Sequence, residues 1–110
     1  MPEQNHEQAL ISLLTMCRKA GRLLIGFDAA ADALKAKQAK LILISTDISP
    51  KTEKEVRFHA GKNGAAAVCR LPFEMETLAH YFRKRTGVLC VTDEGFAAKL
   101  KTMLPPPDAT

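Results

Sequence analysis

Residues 41–50 read LILISTDISP, and this stretch decides the fold. Its first part, Leu41–Ile44, is continuously apolar and too short for a helix, which is typical of a central strand covered on both faces. Ser49 and Pro50 then supply an N-cap and a proline at the first helical position, so they predict a helix that continues to about Lys62. A buried strand followed at once by a helix indicates an α/β protein.

Helices and short buried strands also alternate on both sides of this stretch. Upstream, apolar residues at helical spacing predict a helix from about Glu7 to Ala20, followed by an apolar run at 23–25 and an alanine-rich helix that ends near Ala36. Downstream, the pattern predicts a strand at 65–69, a helix at 74–85, a strand at 88–91 and a final helix that Thr92 and Asp93 can cap. The expected fold is a three-layer α/β/α sandwich with a small mixed sheet.

The length of 110 residues suits one domain, for which we expect the bounds 9–104, with a polar N-terminal extension at 1–8 and a proline-rich tail at 105–110. Hydrophobic residues make up 46% and charged residues 25%, which argues against global disorder and fibrous structure. No apolar stretch approaches the roughly 20 residues that span a bilayer, and residues 1–8 do not resemble a secretory signal. We therefore expect a cytoplasmic monomer.

Signals for catalysis are weak. The sequence lacks a phosphate-binding loop, a dinucleotide fingerprint, a nucleophile elbow and a zincin motif. Its histidines never fall at metal-ligand spacing with another histidine or a cysteine. Its three cysteines, Cys17, Cys69 and Cys90, lie in apolar surroundings and read as small buried hydrophobes. We expect a non-enzyme without a metal or cofactor.

Two positions keep an enzymatic alternative open. Asp47 follows the central strand, where open α/β sheets place ligands, but an aspartate before Ser49 and Pro50 also commonly bonds the local backbone of a turn. Cys90 would need a nearby base to become a thiol nucleophile. We favour the turn interpretation for Asp47 and the core interpretation for Cys90.

The charge distribution favours a polyanionic partner. Sixteen Lys and Arg residues against 12 Asp and Glu residues give a net charge of +4. The excess lies in two blocks, residues 18–40 and 83–110. Such clusters neutralise phosphates or complement helix C-termini, and composition leaves these two interpretations nearly even. With one Tyr, no Trp and no aromatic residue interleaved among the basic residues, structured RNA fits better than a stacked single strand.

The order of several segments resembles the ribosomal protein L7Ae superfamily, and within it the bacterial YlxQ-like branch. These segments are the basic turn RKAGR at 18–22, AKLILIS at 39–45, DISP at 47–50 and VTDEGFA at 91–97. The resemblance implies an L7Ae/L30e-like sandwich that binds structured RNA, typically a kink-turn in ribosomal or related RNA, without catalysis.

The recognition motif of that family, G-x-N-E-x-x-K at the start of the second helix, is altered in this sequence. Gly26 keeps the glycine, whereas Asp28, Ala29 and Asp32 replace the asparagine, glutamate and lysine. An ionised aspartate only accepts hydrogen bonds, and Asp32 places an anion where the family places a cation. The alternative function is a protein-interaction module of the translation or ribosome-assembly machinery that has lost specific RNA recognition.

The resemblance and the basic residues together define a candidate RNA-binding site. Its expected phosphate contacts are cations, namely Lys19, Arg22, Lys35, Lys37 and Arg70. Its expected shape contacts come from the turn before the second helix and from the loop after the second long strand, namely Gly26, Phe27, Asp28, Leu71 and Pro72. The sequence leaves open whether residues 83–85 share a face with the first basic block, at residues 18–40.

Overall fold

The computed structural model describes residues 2–63 and 66–104, with side chains from His6 onward. Nine elements alternate along this part of the chain. They are α1 (Pro2–Lys19), β1 (Leu23–Ile25), α2 (Phe27–Lys35), β2 (Leu41–Ile44), α3 (Pro50–Lys62), β3 (Ala67–Arg70), α4 (Met75–Phe82), β4 (Val88–Val91) and α5 (Glu94–Met103).

The four strands form one mixed sheet in the order β1-β4-β2-β3. β2 pairs in parallel with β3, whereas β4 pairs antiparallel with both β2 and β1. The first three strands therefore run in one direction and β4 runs back between β1 and β2. As a result, the carboxyl ends of β1, β2 and β3 meet the start of β4 at the same edge of the sheet.

Alternate residues of the central strands bury two separate cores. Leu41 and Leu43 pack with side chains of α1, α4 and α5 on one face. Ile42 and Ile44 pack with α2 and α3 on the other face. All four side chains are fully buried, each contributing roughly 1.5–3 kcal/mol to folding. Helices on both faces of the sheet confirm the predicted three-layer α/β/α sandwich.

Two predicted helix caps are present. Ser49 Oγ accepts a hydrogen bond of 3.2 Å from the backbone N–H of Thr52, and Pro50 is the first residue of α3. Asp93 Oδ2 accepts a hydrogen bond of 2.9 Å from the N–H of Phe96 at the start of α5. Each cap satisfies an N–H that has no partner within its own helix, which fixes where these helices begin.

Several boundaries differ from the predicted ones. α1 begins at Pro2, so most of the expected N-terminal extension is helical, and the apolar run at 23–25 is a fourth strand because it pairs with β4. α4 ends at Phe82 rather than near residue 85, because Arg83 adopts a left-handed conformation with φ of 63°. β3 covers Ala67–Arg70. Residues 64, 65 and 105–110, which include the expected tail, lie outside the described residues.

Candidate functional site

Four connecting segments meet at the edge of the sheet where β1, β2 and β3 end. We call this the carboxyl edge; it comprises residues 26–28, 45–49, 70–74 and 83–87. Backbone hydrogen bonds of 2.9 Å join these segments, from Gly26 N to Val88 O, from Ser45 N to Gly87 O and from Thr46 N to Phe73 O. The edge is therefore a continuous, hydrogen-bonded surface rather than a set of independent loops.

The carboxyl edge also carries the N-termini of α2, α3 and α4, because each of these helices follows one of the three strands that end there. Helix N-termini present free N–H groups and a partial positive charge, which attract anions. The N-cap of α2 is Gly26, which has no side chain to bond those N–H groups. Of the three helices, α2 alone lacks a side-chain cap within the part of the chain that the structure describes, because Ser49 bonds the start of α3 and Asp47 the start of α4, and Asp28 offsets part of the positive charge at the start of α2.

Asp47 joins two of these segments. Its Oδ1 accepts a hydrogen bond of 2.9 Å from the N–H of Met75 at the start of α4. This hydrogen bond, with a smaller contribution from the charge of Arg85, holds the pKa of Asp47 below its usual range. Asp47 therefore makes a contact across 28 residues, and a local hydrogen bond from its own backbone N–H also helps to lower its pKa. Asp47 caps α4 from a distance and stays ionised, which makes it a weak base.

Close to the hydrogen bond between Asp47 and Met75, Gly87 packs tightly against Ser45. Ser45 is fully buried, and its Oγ has no hydrogen-bond partner among the described residues, although it lies near enough to Asp47 to help lower the pKa of the carboxyl group. Gly87 lies opposite Ser45 where the pairing of β2 with β4 continues, and a Cβ at that position would stand 2.8 Å from Ser45 Oγ. Glycine permits this close approach.

The basic loop 83–85 reaches the start of α2. Lys84 Nζ donates a hydrogen bond of 3.4 Å to the carbonyl of Ile25, and a Cβ at Gly26 would stand 3.1 Å from the same nitrogen. Gly26 itself has a φ of +111°, which L side chains rarely adopt. Arg83, Lys84 and Arg85 are all exposed. Residue 84 therefore adjoins the predicted glycine turn, and Arg18 of the first basic block donates a hydrogen bond of 3.0 Å to the carbonyl of Phe82, next to residue 83.

Arg70 is already engaged by the protein. Its guanidinium donates to Glu53 Oε1 at 2.9 Å and to the carbonyl of Ser45 at 3.1 Å. Glu53 also accepts from Arg57 at 3.0 Å. The hydrogen bond from Arg70 is the main reason why the pKa of Glu53 is lowered. Arg70 therefore braces β3 against α3, and part of its charge is neutralised.

The two remaining predicted residues of this loop differ in exposure. Leu71 is only 1% exposed and belongs to the core shared by α1, α4 and α5. Its side chain therefore packs inside the protein, and the role of Leu71 as a shape contact for RNA stays a prediction. Pro72, the next residue, is exposed. The alternation follows from the extended chain, in which successive side chains point to opposite sides.

Four predicted cations lie at the opposite edge, which we call the amino edge. Lys19 and Arg22 precede β1, whereas Lys35 and Lys37 precede β2, and all four are exposed. The predicted residues therefore fall into two groups at opposite ends of the strands. At least one cation here complements a helix C-terminus, since Lys37 Nζ donates at 3.5 Å to the carbonyl of Asn63, the C-cap of α3.

The cysteines occupy core positions. Cys17, Cys69 and Cys90 are free thiols and are buried. Burial raises the pKa of Cys90 to about 12, so its thiol stays protonated at neutral pH, and this environment is unsuitable for a nucleophile.

Among residues 2–63 and 66–104, no group of three or more His, Cys, Asp or Glu side chains could hold a metal ion. In the same part of the chain, no helix is long and apolar enough to cross a membrane.

Comparison with known proteins identifies the relatives of this sandwich. The sequence profile of the ribosomal protein L7Ae/L30e/S12e/Gadd45 family matches residues 8–101. The chain belongs to this family. A curated relative from Enterococcus faecium, named RNA-binding protein YlxQ, is 27% identical over 105 residues, which are 94% of this chain and 98% of the relative. The expected resemblance to the L7Ae superfamily and its YlxQ-like branch is thereby confirmed.

Solved structures agree on the fold. A protein of unknown function from Bacillus halodurans superposes with a TM-score of 0.75 at 26% identity, covering 86% of this chain and 94% of its own. The Giardia lamblia 15.5kD RNA binding protein superposes with a TM-score of 0.68 at 14% identity, covering 90% of each chain. The second likeness concerns the fold alone.

Within the L7Ae-family sandwich, Asp28 and Asp32 are exposed on α2 and Ala29 is half-buried.

Proposed function

We propose that this L7Ae-family chain is a non-catalytic cytoplasmic protein that binds structured, kink-turn-like RNA at its carboxyl edge. The observation that carries the proposal is the position of Lys84, whose Nζ lies 3.4 Å from the carbonyl of Ile25, beside the N-terminus of α2. Arg83 and Arg85 are its immediate neighbours. A consecutive triad of exposed cations beside helix N-termini favours phosphate binding.

The altered recognition motif determines how such binding works. Asp28 and Ala29 offer fewer hydrogen-bonding groups to base edges than the asparagine and glutamate of the family motif. Asp32 stands where that motif has a lysine, and Lys84 supplies a cation to the start of the same helix from a different loop. Recognition therefore depends on the phosphate backbone and the shape of the RNA more than on individual bases.

A titration against two RNAs tests this proposal. A kink-turn RNA and a straight duplex of equal length are titrated at about 50 and about 200 mM salt with the wild type and with the double variant Lys84→Gln/Arg85→Gln. We expect a preference for the kink-turn, and about a tenfold loss of affinity with a shallower salt dependence in the variant, since two phosphate contacts are removed.

Two control variants locate the site. Lys99→Gln/Lys101→Gln on α5 removes the same charge at exposed positions and should leave RNA affinity nearly unchanged. Lys19→Gln/Arg22→Gln removes two cations of the amino edge. A larger loss with this amino-edge variant than with Lys84→Gln/Arg85→Gln would place the RNA at the wrong edge for our proposal and would overturn it.

One observation favours the alternative of a protein-interaction module. Asp28 and Asp32 lie one turn apart on α2 and are both exposed, so they repel phosphates and attract a basic partner surface. Weak and equal binding of the wild type to both RNAs would favour this alternative. In that case the triple variant Asp28→Asn/Ala29→Glu/Asp32→Lys should acquire kink-turn binding.

A further inference from the structure

An exposed aromatic ring lies between cations on α3. Phe58 is 62% exposed, although it is a large apolar side chain. Lys62 Nζ lies 5.8 Å from the centroid of its ring, one helical turn further along. Lys54, one turn before Phe58, is also exposed. The expectation that no aromatic residue is interleaved with the basic residues is therefore wrong for this helix.

Phe58 lies eight residues, about 12 Å, along α3 from Pro50 at the carboxyl edge, and other rings connect it to the start of α2. The His59 ring lies 5.7 Å from that of Phe58 and 5.8 Å from that of Phe27, with an edge-on geometry in both pairs. Phe27 is the first residue of α2 and directly follows Gly26. Two ring contacts thus connect the exposed face of Phe58 to the turn against which Lys84 lies.

The surroundings of Phe58 fit a nucleotide better than a protein interface. Among the described residues, the other exposed large hydrophobic side chains are Met16 on α1 and Tyr81 on α4, whose helices pack on the opposite face of the sheet. Within the described part of the chain, Phe58 is therefore the one large hydrophobic side chain that is exposed on its own face of the sheet. A single exposed ring, with the Lys62 ammonium group over it and Lys54 one helical turn before it, provides a stacking surface and cations for the adjoining phosphates.

The nearby acidic residues leave this charge pattern largely intact. Glu53 is engaged by Arg57 and Arg70, so its charge is already compensated. Glu55 is exposed one turn before Phe58 and offsets one of the two flanking lysines. The local excess of positive charge is therefore modest, and the ring itself supplies the main expected contribution to binding.

We propose that Phe58 stacks an unpaired base of the RNA, with Lys54 and Lys62 beside the flanking phosphates. This inference rests on the proposed function, because the base belongs to an RNA held at the carboxyl edge. Stacking tolerates any base, so the contact adds affinity for unpaired RNA rather than sequence specificity.

Fluorescence provides a direct test because the chain contains no tryptophan. Phe58→Trp introduces a single indole at the proposed platform, and Met16→Trp introduces one at an exposed control position on α1. Each variant is titrated with the kink-turn RNA, with the same RNA bearing a short unpaired adenosine segment at either end, and with the straight duplex. We expect the emission of Phe58→Trp to change when an unpaired base stacks, and the emission of Met16→Trp to stay constant.

Affinity measurements complete the test. One of these RNAs should alter the emission of Phe58→Trp through its unpaired segment. Phe58→Ala should lower the affinity for that RNA by about fivefold or more and should have little effect on the affinity for the straight duplex. Met16→Ala is the matched control, because Met16 is as exposed as Phe58 and lies outside the carboxyl edge, and it should leave affinity unchanged. Tight binding of the wild type, with no emission change for any RNA and no effect of Phe58→Ala, would overturn this inference and leave the proposed function standing. Failure of the wild type to bind any of these RNAs would overturn both.

Discussion

Gly87→Ala is the most informative perturbation of the carboxyl edge. The added Cβ would stand 2.8 Å from Ser45 Oγ and 3.3 Å and 3.4 Å from two carbon atoms of Ile48. Ser45 is fully buried and Ile48 is 8% exposed, so the added methyl group meets the packed interior. Either the backbone pairing of Gly87 with Ser45 must shift or the Ser45 hydroxyl must leave its position.

The expected cost follows from this geometry. Overpacking a buried site by one methyl group destabilises a protein by about 1–3 kcal/mol. For a domain of about 100 residues, such a loss lowers the melting temperature by roughly 4–8 °C per kcal/mol. Ser45→Ala removes the closest clashing atom and a hydroxyl without a hydrogen-bond partner among the described residues, so it should cost little alone and should restore more than half of the stability lost in Gly87→Ala.

Urea unfolding followed by far-ultraviolet circular dichroism measures all four members of this double-mutant cycle. Gly61→Ala serves as a control for which we expect a gain in stability instead of a loss. Gly61 is in α3, and a Cβ there would meet no atom within 4 Å. It should stabilise the protein by about 0.5–1 kcal/mol. A Gly87→Ala variant as stable as the wild type, or one that Ser45→Ala does not rescue, would refute the packing argument.

Three further predictions concern single interactions. Asp47→Ala should accelerate hydrogen exchange at the N–H of Met75, whereas Asp47→Asn, which keeps an acceptor, should not; equal rates would contradict the distant cap. The pKa of Glu53 is lowered from 4.5, so its stabilising contribution is complete above about pH 4.5 and is lost as the pH falls through the lower folded value; carboxyl-carbon NMR should show a higher pKa in Arg70→Gln. The pKa of Cys90 is raised from 9.0 to about 12, so its contribution to stability is complete below pH 9 and is lost between pH 9 and 12. Cys90→Ala should unfold with a weaker pH dependence in that range, and rapid labelling of the native Cys90 thiol near neutral pH would contradict its burial.

The fold could be predicted from the sequence because its signals are local. The apolar run Leu41–Ile44, the Ser49 cap and the Asp93 cap are each readable within a few residues, and each is present in the structure. β1 was harder to predict, since three apolar residues become a strand only through pairing with β4, which lies far away in sequence. The left-handed Arg83 that ends α4 likewise leaves no clear signal in the residue types.

The site could be predicted only in part, because proximity in sequence differs from proximity in space. Phe27 and Lys35 belong to one helix, but nine residues of helix separate their ends by about 13 Å and place them toward opposite edges of the sheet. Conversely, Lys84 reaches Gly26 from a distant part of the chain, and nothing in either segment indicates this contact. The burial of Leu71 depends on the side to which a loop residue points, which composition does not reveal.

The position of β4 also bears on the order in which the protein assembles. β4 is synthesised last of the four strands, yet it lies between β1 and β2 and supplies every backbone hydrogen bond that connects β1 to the rest of the sheet. A nascent chain that ends before Val88 can pair β2 with β3 but leaves β1 without a neighbour. Contacts so distant in sequence close slowly. The domain is therefore completed only after nearly its whole length has been made, and a chain that terminates early lacks an internal strand rather than a dispensable end.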